Sequence, residues 1–200
     1  MTETDDPRPR FEPSPIVEVT RPVAAHPTLH GSGVERLDSA QGQDLIVIID
    51  GRPGGNAPRS PLCQLGILMD PGKVSTPHVH DETHVYVRLE ECGPQGVLTL
   101  YGDRLQHEEW LFAGGTLWLP PGVPHVAVYP RFEGESAGAH ATRTTAVGIE
   151  TRTTPDPLAD VRPLPELWNA LSYHLDVLGL REHVDAPAGA GDAWWLDGAR

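Results

Sequence analysis

Turn-forming residues constrain this chain more than any other feature of it. With 21 glycines and 21 prolines among 200 residues, few stretches run uninterrupted long enough to build a long helix. Between the interruptions the apolar residues come in runs of strand length: Leu45–Ile49, Cys63–Met69, His84–Leu89, Val97–Tyr101, Trp110–Phe112, Leu117–Leu119, His125–Tyr129 and Thr145–Ile149. Asp50-Gly51, Asp70-Pro71-Gly72, Gly102-Asp103, Gly114-Gly115 and Pro120-Pro121-Gly122 separate them. These are turn sequences, because glycine reaches positive φ without strain and proline presets φ for the corner. The pattern predicts an all-β sandwich or barrel.

After Pro163 the period changes. Leu164, Leu167, Trp168, Leu171, Leu175 and Leu178 recur at three and four residues, which predicts one amphipathic α-helix ending near Gly179. The expected organisation is a disordered segment over 1–15, a barrel over 16–160, a C-terminal helix within 161–184 and a flexible tail over 185–200 that carries Trp194 and Trp195.

Charge narrows the partners. Fifteen basic against 28 acidic residues give a net charge of −13, which repels nucleic-acid phosphates and anionic lipid surfaces. The longest uninterrupted apolar run, Leu45–Ile49, is far too short to cross a bilayer, and the N-terminal residues MTETDDPRPR lack the apolar centre of a secretion signal. The expectation is a soluble cytoplasmic protein in which Cys63 and Cys92 stay reduced.

Chemistry points to the histidines. Three of the ten stand in His78-Val79-His80-Asp81-Glu82-Thr83-His84. Neutral imidazole is a common transition-metal ligand, and two ligands on one strand share a face when they are two residues apart. A turn through Asp81-Glu82-Thr83 brings His84 back toward the same point. His125, aimed by the rigid Pro120-Pro121-Gly122-Val123-Pro124 segment, is the fourth candidate. His26, His30, His107, His140, His174 and His183 have no ligand spacing. If His84 faces the barrel interior, so do Tyr86 and Arg88, while Val85, Val87 and Leu89 face outward.

These residues resemble the cupin superfamily. Its first motif is matched by Gly72, five residues, His78-x-His80, three residues, and His84 where the family carries Glu; Glu91 stands where the motif closes on Gly, with Gly93 two residues on. Its second motif is matched by Gly114, Pro120, Gly122 and His125, with Tyr129 in the place of Asn. The resemblance covers about residues 40–152. It implies a double-stranded β-helix, the jelly-roll barrel, and a divalent transition metal (Fe, Mn, Ni, Cu or Zn) held by His78, His80, His84 and His125, with Glu82 as the alternative to His84. A closed tetrahedral zinc would instead be structural.

Three residues are candidates for catalysis. Arg88 would bind a substrate carboxylate or enolate or else pair with Glu90, Tyr86 would donate to substrate or act as acid or base, and Glu82 is the nearby acidic group. The expected function is a metal-dependent enzyme acting on a small organic substrate, with an oxygenase or dioxygenase as the leading reaction. The alternatives are a redox-neutral cyclase, lyase or isomerase of the polyketide-cyclase kind and a non-catalytic binding module. The Val85-Val87-Leu89 row and the helix stripe together suggest a homodimer.

Overall fold

A computed structural model describes residues 18–20, 36–38, 43–132, 144–187 and 190. The expectations about 1–15, about Trp194 and Trp195, and about His26, His30 and His140 lie outside the described residues. The chain forms β1 (Glu18–Thr20), β2 (Arg36–Asp38), β3 (Asp44–Ile49), β4 (Cys63–Met69), β5 (His78–Val79), β6 (Val85–Glu91), β7 (Val97–Tyr101), β8 (His107–Leu111), β9 (Thr116–Leu119), β10 (His125–Val128), β11 (Ala146–Arg152) and β12 (Arg162–Pro163). A 3₁₀ turn, Pro165–Leu167, then leads into α1 (Trp168–Val177).

The strands make a seven-stranded sheet in the order β1-β9-β6-β11-β4-β3-β2 and a five-stranded sheet in the order β12-β5-β10-β7-β8. Strand pairs are antiparallel, and the two sheets are the walls of the expected jelly-roll barrel. Among the described residues, no helix is long and apolar enough to cross a membrane.

Two clusters of buried side chains fix which way each strand faces. Leu45, Val47, Leu65, Ile67, Met69, Val85, Leu89, Leu117 and Leu119 fill the barrel from the seven-stranded sheet. On the five-stranded sheet Val79, Leu98, Leu100, Val126 and Val128 turn the other way, outward, where Leu164, Leu167, Trp168, Leu171 and Leu175 cover them. The helix stripe is therefore spent inside the chain. Gly179, at φ +67°, closes the helix one residue past its C-cap, where only glycine adopts the left-handed conformation cheaply.

The parity of β6 is the reverse of the expectation. Val85 (1% exposed) and Leu89 (5% exposed) are in the core, and Val87 packs against them. Tyr86 and Arg88 occupy the outer face of the seven-stranded sheet. The three aliphatic side chains gain more from burial than an arginine or tyrosine could, and the alternation carries the polar set outward. Both surfaces that suggested a homodimer, the Val85-Val87-Leu89 row and the helix stripe, are thus buried within one chain.

Candidate metal centre

The covering helix determines where the histidines point. Val79 and Val126 face α1, so their strand neighbours His78 and His125 face the barrel interior, and these two histidines are direct partners across β5 and β10. His80 lies two residues beyond His78 on the same side. Gly122, at φ +78°, donates its N–H to the His80 carbonyl at 2.7 Å. The proline-rich turn that precedes His125 is thereby fastened to the strand that carries the other two histidines.

One ring nitrogen of each of His78, His80 and His125 lies within 4.8 Å of those of the other two. The ring centroids are 4.2 Å apart for His78–His125, 5.2 Å for His78–His80 and 5.5 Å for His80–His125. Nδ1 of His78 donates to the Thr76 carbonyl at 2.8 Å, and Nδ1 of His125 to the Val123 carbonyl at 2.9 Å. A carbonyl only accepts, so Nδ1 carries the proton and Nε2 the lone pair in both rings.

Electrostatics favours the same state. Burial, followed by the charge of His125, holds His78 and His80 well below the ordinary histidine range, and burial also lowers His125 against the opposing Val123 hydrogen bond. All three are neutral near pH 7 and need lose no proton to ligate an ion. Three neutral, buried imidazoles with converging nitrogens fit a divalent transition metal and have no evident role in packing.

His84, the expected fourth ligand, stands apart. Its ring stacks on Trp118 with centroids 5.7 Å apart, and the Trp118 indole N–H donates to its Nδ1 at 3.2 Å. Glu82 is exposed on the loop above. That loop is pinned from below, where the Asp160 carboxylate accepts the N–H groups of Asp81 and Glu82 at 3.0 and 2.9 Å. Tyr86 is 42% exposed and stacks on the same indole, with centroids 6.2 Å apart. Arg88 lies 3.0 Å from Glu90, which is the ion-pair alternative. The triad is therefore brought together, whereas His84, Glu82, Tyr86 and Arg88 lie outside it.

Beside His78 and His125 is a cavity of about 60 Å³, room for a ligand of a few heavy atoms. Ile67, Val87, Leu89, Leu117 and Leu119 make its walls, and His78, His125 and Glu150 also face it. Glu150 was not apparent in the sequence. It is 3% exposed, and its carboxylate accepts a hydrogen bond from Nε of Arg152, which is fully buried. Arg152 also donates to the Pro157 carbonyl at 3.0 Å. Both charges act on His125, Glu150 raising and Arg152 lowering its proton affinity. The available signal was the alternation Ala146, Gly148, Glu150, Arg152 against Val147, Ile149, Thr151. It reads naturally with the β-branched set inward, and the barrel uses the other.

The two-sheet barrel and the convergent triad are the jelly-roll fold and the histidine cluster that the cupin resemblance implies. No family model matches the chain, and no curated protein matches it. Among solved structures, a variant of salicylate 1,2-dioxygenase from Pseudoaminobacter salicylatoxidans is 13% identical over 57% of this chain, with a TM-score of 0.41. Oxalate decarboxylase from Lactobacillus farciminis in a formate complex is 12% identical over 76%, with a TM-score of 0.46. A variant of Bacillus subtilis oxalate decarboxylase is 15% identical over 71%, with a TM-score of 0.46. The matched regions span 27%, 42% and 34% of those chains respectively.

Proposed function

We propose that this protein is a metal-dependent enzyme in which His78, His80 and His125 hold one divalent transition metal and a small organic substrate enters the apolar cavity beside it. The observation that carries this reading is the triad itself, neutral and buried, with Nδ1 of His78 and His125 committed to carbonyls. Such an ion supplies Lewis acidity and, where redox-active, a route for electrons between substrate and O₂. The chain's own part is to hold the ligating nitrogens, exclude water with Ile67, Val87 and Leu117, and place Glu150 against the substrate.

Oxygenase chemistry is the leading reaction, since an ion held by His78, His80 and His125 alone would have positions open both to substrate and to O₂. A second reading, a redox-neutral cyclase, lyase or isomerase, is favoured by Glu150, a buried carboxylate able to accept a proton from a carbon or oxygen acid. Elemental analysis of protein purified under reducing, anaerobic conditions tests the metal, with near one equivalent per chain expected. Paramagnetic resonance of the iron-loaded protein with nitric oxide, an O₂ surrogate, then tests the reaction class. A new signal supports the oxygenase; native zinc, which has no redox chemistry, overturns it in favour of the redox-neutral reading.

A further inference from the structure

Among the described residues lining the cavity, Glu150 is the one that carries a formal charge. A carboxylate loses several kcal/mol of solvation on burial, and a buried ion pair seldom repays that cost in stability. The walls around it are mostly apolar, with Gln43, Ser75 and Thr99 as neutral polar groups besides the histidines, so a lone buried carboxylate is not what packing of this cavity requires. Its partner Arg152 is engaged by Glu150 and by the Pro157 carbonyl, and it does not line the cavity. A ligand entering beside His78 and His125 therefore meets an anionic hydrogen-bond acceptor and no cationic side chain.

We infer that Glu150 sets the substrate class: the site takes a small oxygen chelator that brings its own O–H or N–H donor, such as an enol, an α-hydroxy ketone or a hydroxamic acid, and rejects dicarboxylate dianions. This rests on the triad being a metal site. A protic ligand satisfies the Glu150 carboxylate with a charge-assisted hydrogen bond. A dianion of the same size offers acceptors alone, leaving two like-charged groups facing each other in a poorly solvated space. Discrimination by an unmatched buried polar group is stronger than discrimination by shape.

The test compares two small O,O-chelators, acetohydroxamic acid (neutral and protic at pH 7) and oxalate (a dianion), by calorimetric titration of the zinc-loaded protein, with zinc content measured on the same samples. The wild type is expected to bind acetohydroxamic acid at least tenfold more tightly than oxalate. Glu150→Gln should shift the ratio of the two affinities toward oxalate by at least tenfold at unchanged zinc content, and Glu150→Asp should keep the wild-type preference. Zinc-loaded wild type that binds oxalate as tightly as acetohydroxamic acid overturns the inference with or without a folded Glu150 variant, as does a ratio that Glu150→Gln leaves within threefold. Wild type that takes up no metal overturns the metal-site reading and this inference with it, so the zinc content shows which of the two has failed.

Discussion

The Trp118 indole donates its N–H to Nδ1 of His84 at 3.2 Å, and that single bond decides what His84 can do. An indole nitrogen is a donor only, so Nδ1 accepts and the proton of the neutral imidazole resides on Nε2. Neither nitrogen then presents a lone pair to an ion. Tyr86 stacks on the same indole, so His84, Trp118 and Tyr86 form one aromatic group on the outer sheet face, away from the triad.

The first prediction follows from this. His80→Ala removes one of three converging ligands and should lower metal affinity by a factor of about 100 or more, beyond the roughly 10–100-fold that loss of a group merely orienting a ligand costs. His84→Ala should leave it within threefold. Competition titration against a chromophoric chelator measures both, and a His84→Ala protein that loses its metal would restore His84 to the ligand set.

How far the sequence revealed this site depends on periodicity. His78 and His80 were legible because a spacing of two puts them on one face whichever way the strand is turned, and His125 because a proline-rich turn aims it. The inside of β6 was not legible. Its sequence alternates His84, Tyr86, Arg88 with Val85, Val87, Leu89, which establishes two faces without saying which is inward. A metal ligand at position 84 requires the opposite parity for the whole strand, with Tyr86 and Arg88 inward and Val85, Val87 and Leu89 outward. Glu150 and Arg152 were hidden for a related reason: two charges at the end of a β-branched run read as a strand emerging into solvent. The helix was legible in its buried stripe and in its end near Gly179, but not in its start: Leu164 and Leu167 bury with the stripe from ahead of and within a 3₁₀ turn, and the α-helix begins at Trp168, after Pro165.

Acid should unfold the metal-free protein at a pH set by the triad. Burial lowers the folded-state pKa of His78, His80 and His125, and that of buried His174 as well. In the unfolded chain they titrate near the ordinary value of about 6.5. The unfolded state therefore binds more protons as pH falls, so the stability these residues contribute is fully present above about pH 6.5 and is lost progressively below it. Each neutral histidine contributes a slope of at most about 1.4 kcal/mol per pH unit. Urea unfolding between pH 7.5 and 5 should show stability falling across this range, less steeply in His80→Ala. Equal slopes in the two proteins would mean that His80 does not titrate differently on folding.

Tyr129 takes the place of the motif's Asn and serves the fold. Fully buried, it donates its hydroxyl proton to the Thr144 carbonyl at 2.8 Å and accepts the Gly93 N–H at 2.7 Å. It thereby ties the turn after β6 to the segment entering β11. Tyr129→Phe keeps the ring and leaves both backbone groups without this partner, at a cost of about 1–3 kcal/mol. The urea midpoint should fall with the slope unchanged and metal content unaffected. An unshifted midpoint would mean that other partners replace the hydroxyl.

The Glu150–Arg152 pair gives the last prediction, because folding and function ask different things of it. Arg152→Met strands a buried carboxylate and should destabilise the protein by about 3–5 kcal/mol. Replacing both partners, Glu150→Leu with Arg152→Met, removes both desolvation costs and fills the same space with apolar atoms, so most of that loss should return; such exchanges are often neutral or stabilising by about 1–4 kcal/mol. The coupling between the two sites in a double-mutant cycle should accordingly be large and favourable to the double variant. Urea denaturation of the wild type, both single variants and the double variant measures it. A double variant no more stable than Arg152→Met would show that the charges hold the barrel together through groups such as the Pro157 carbonyl. A stable double variant that still binds zinc but no longer prefers acetohydroxamic acid over oxalate would separate the two roles, leaving the pair dispensable for folding and retained for what it does to the ligand.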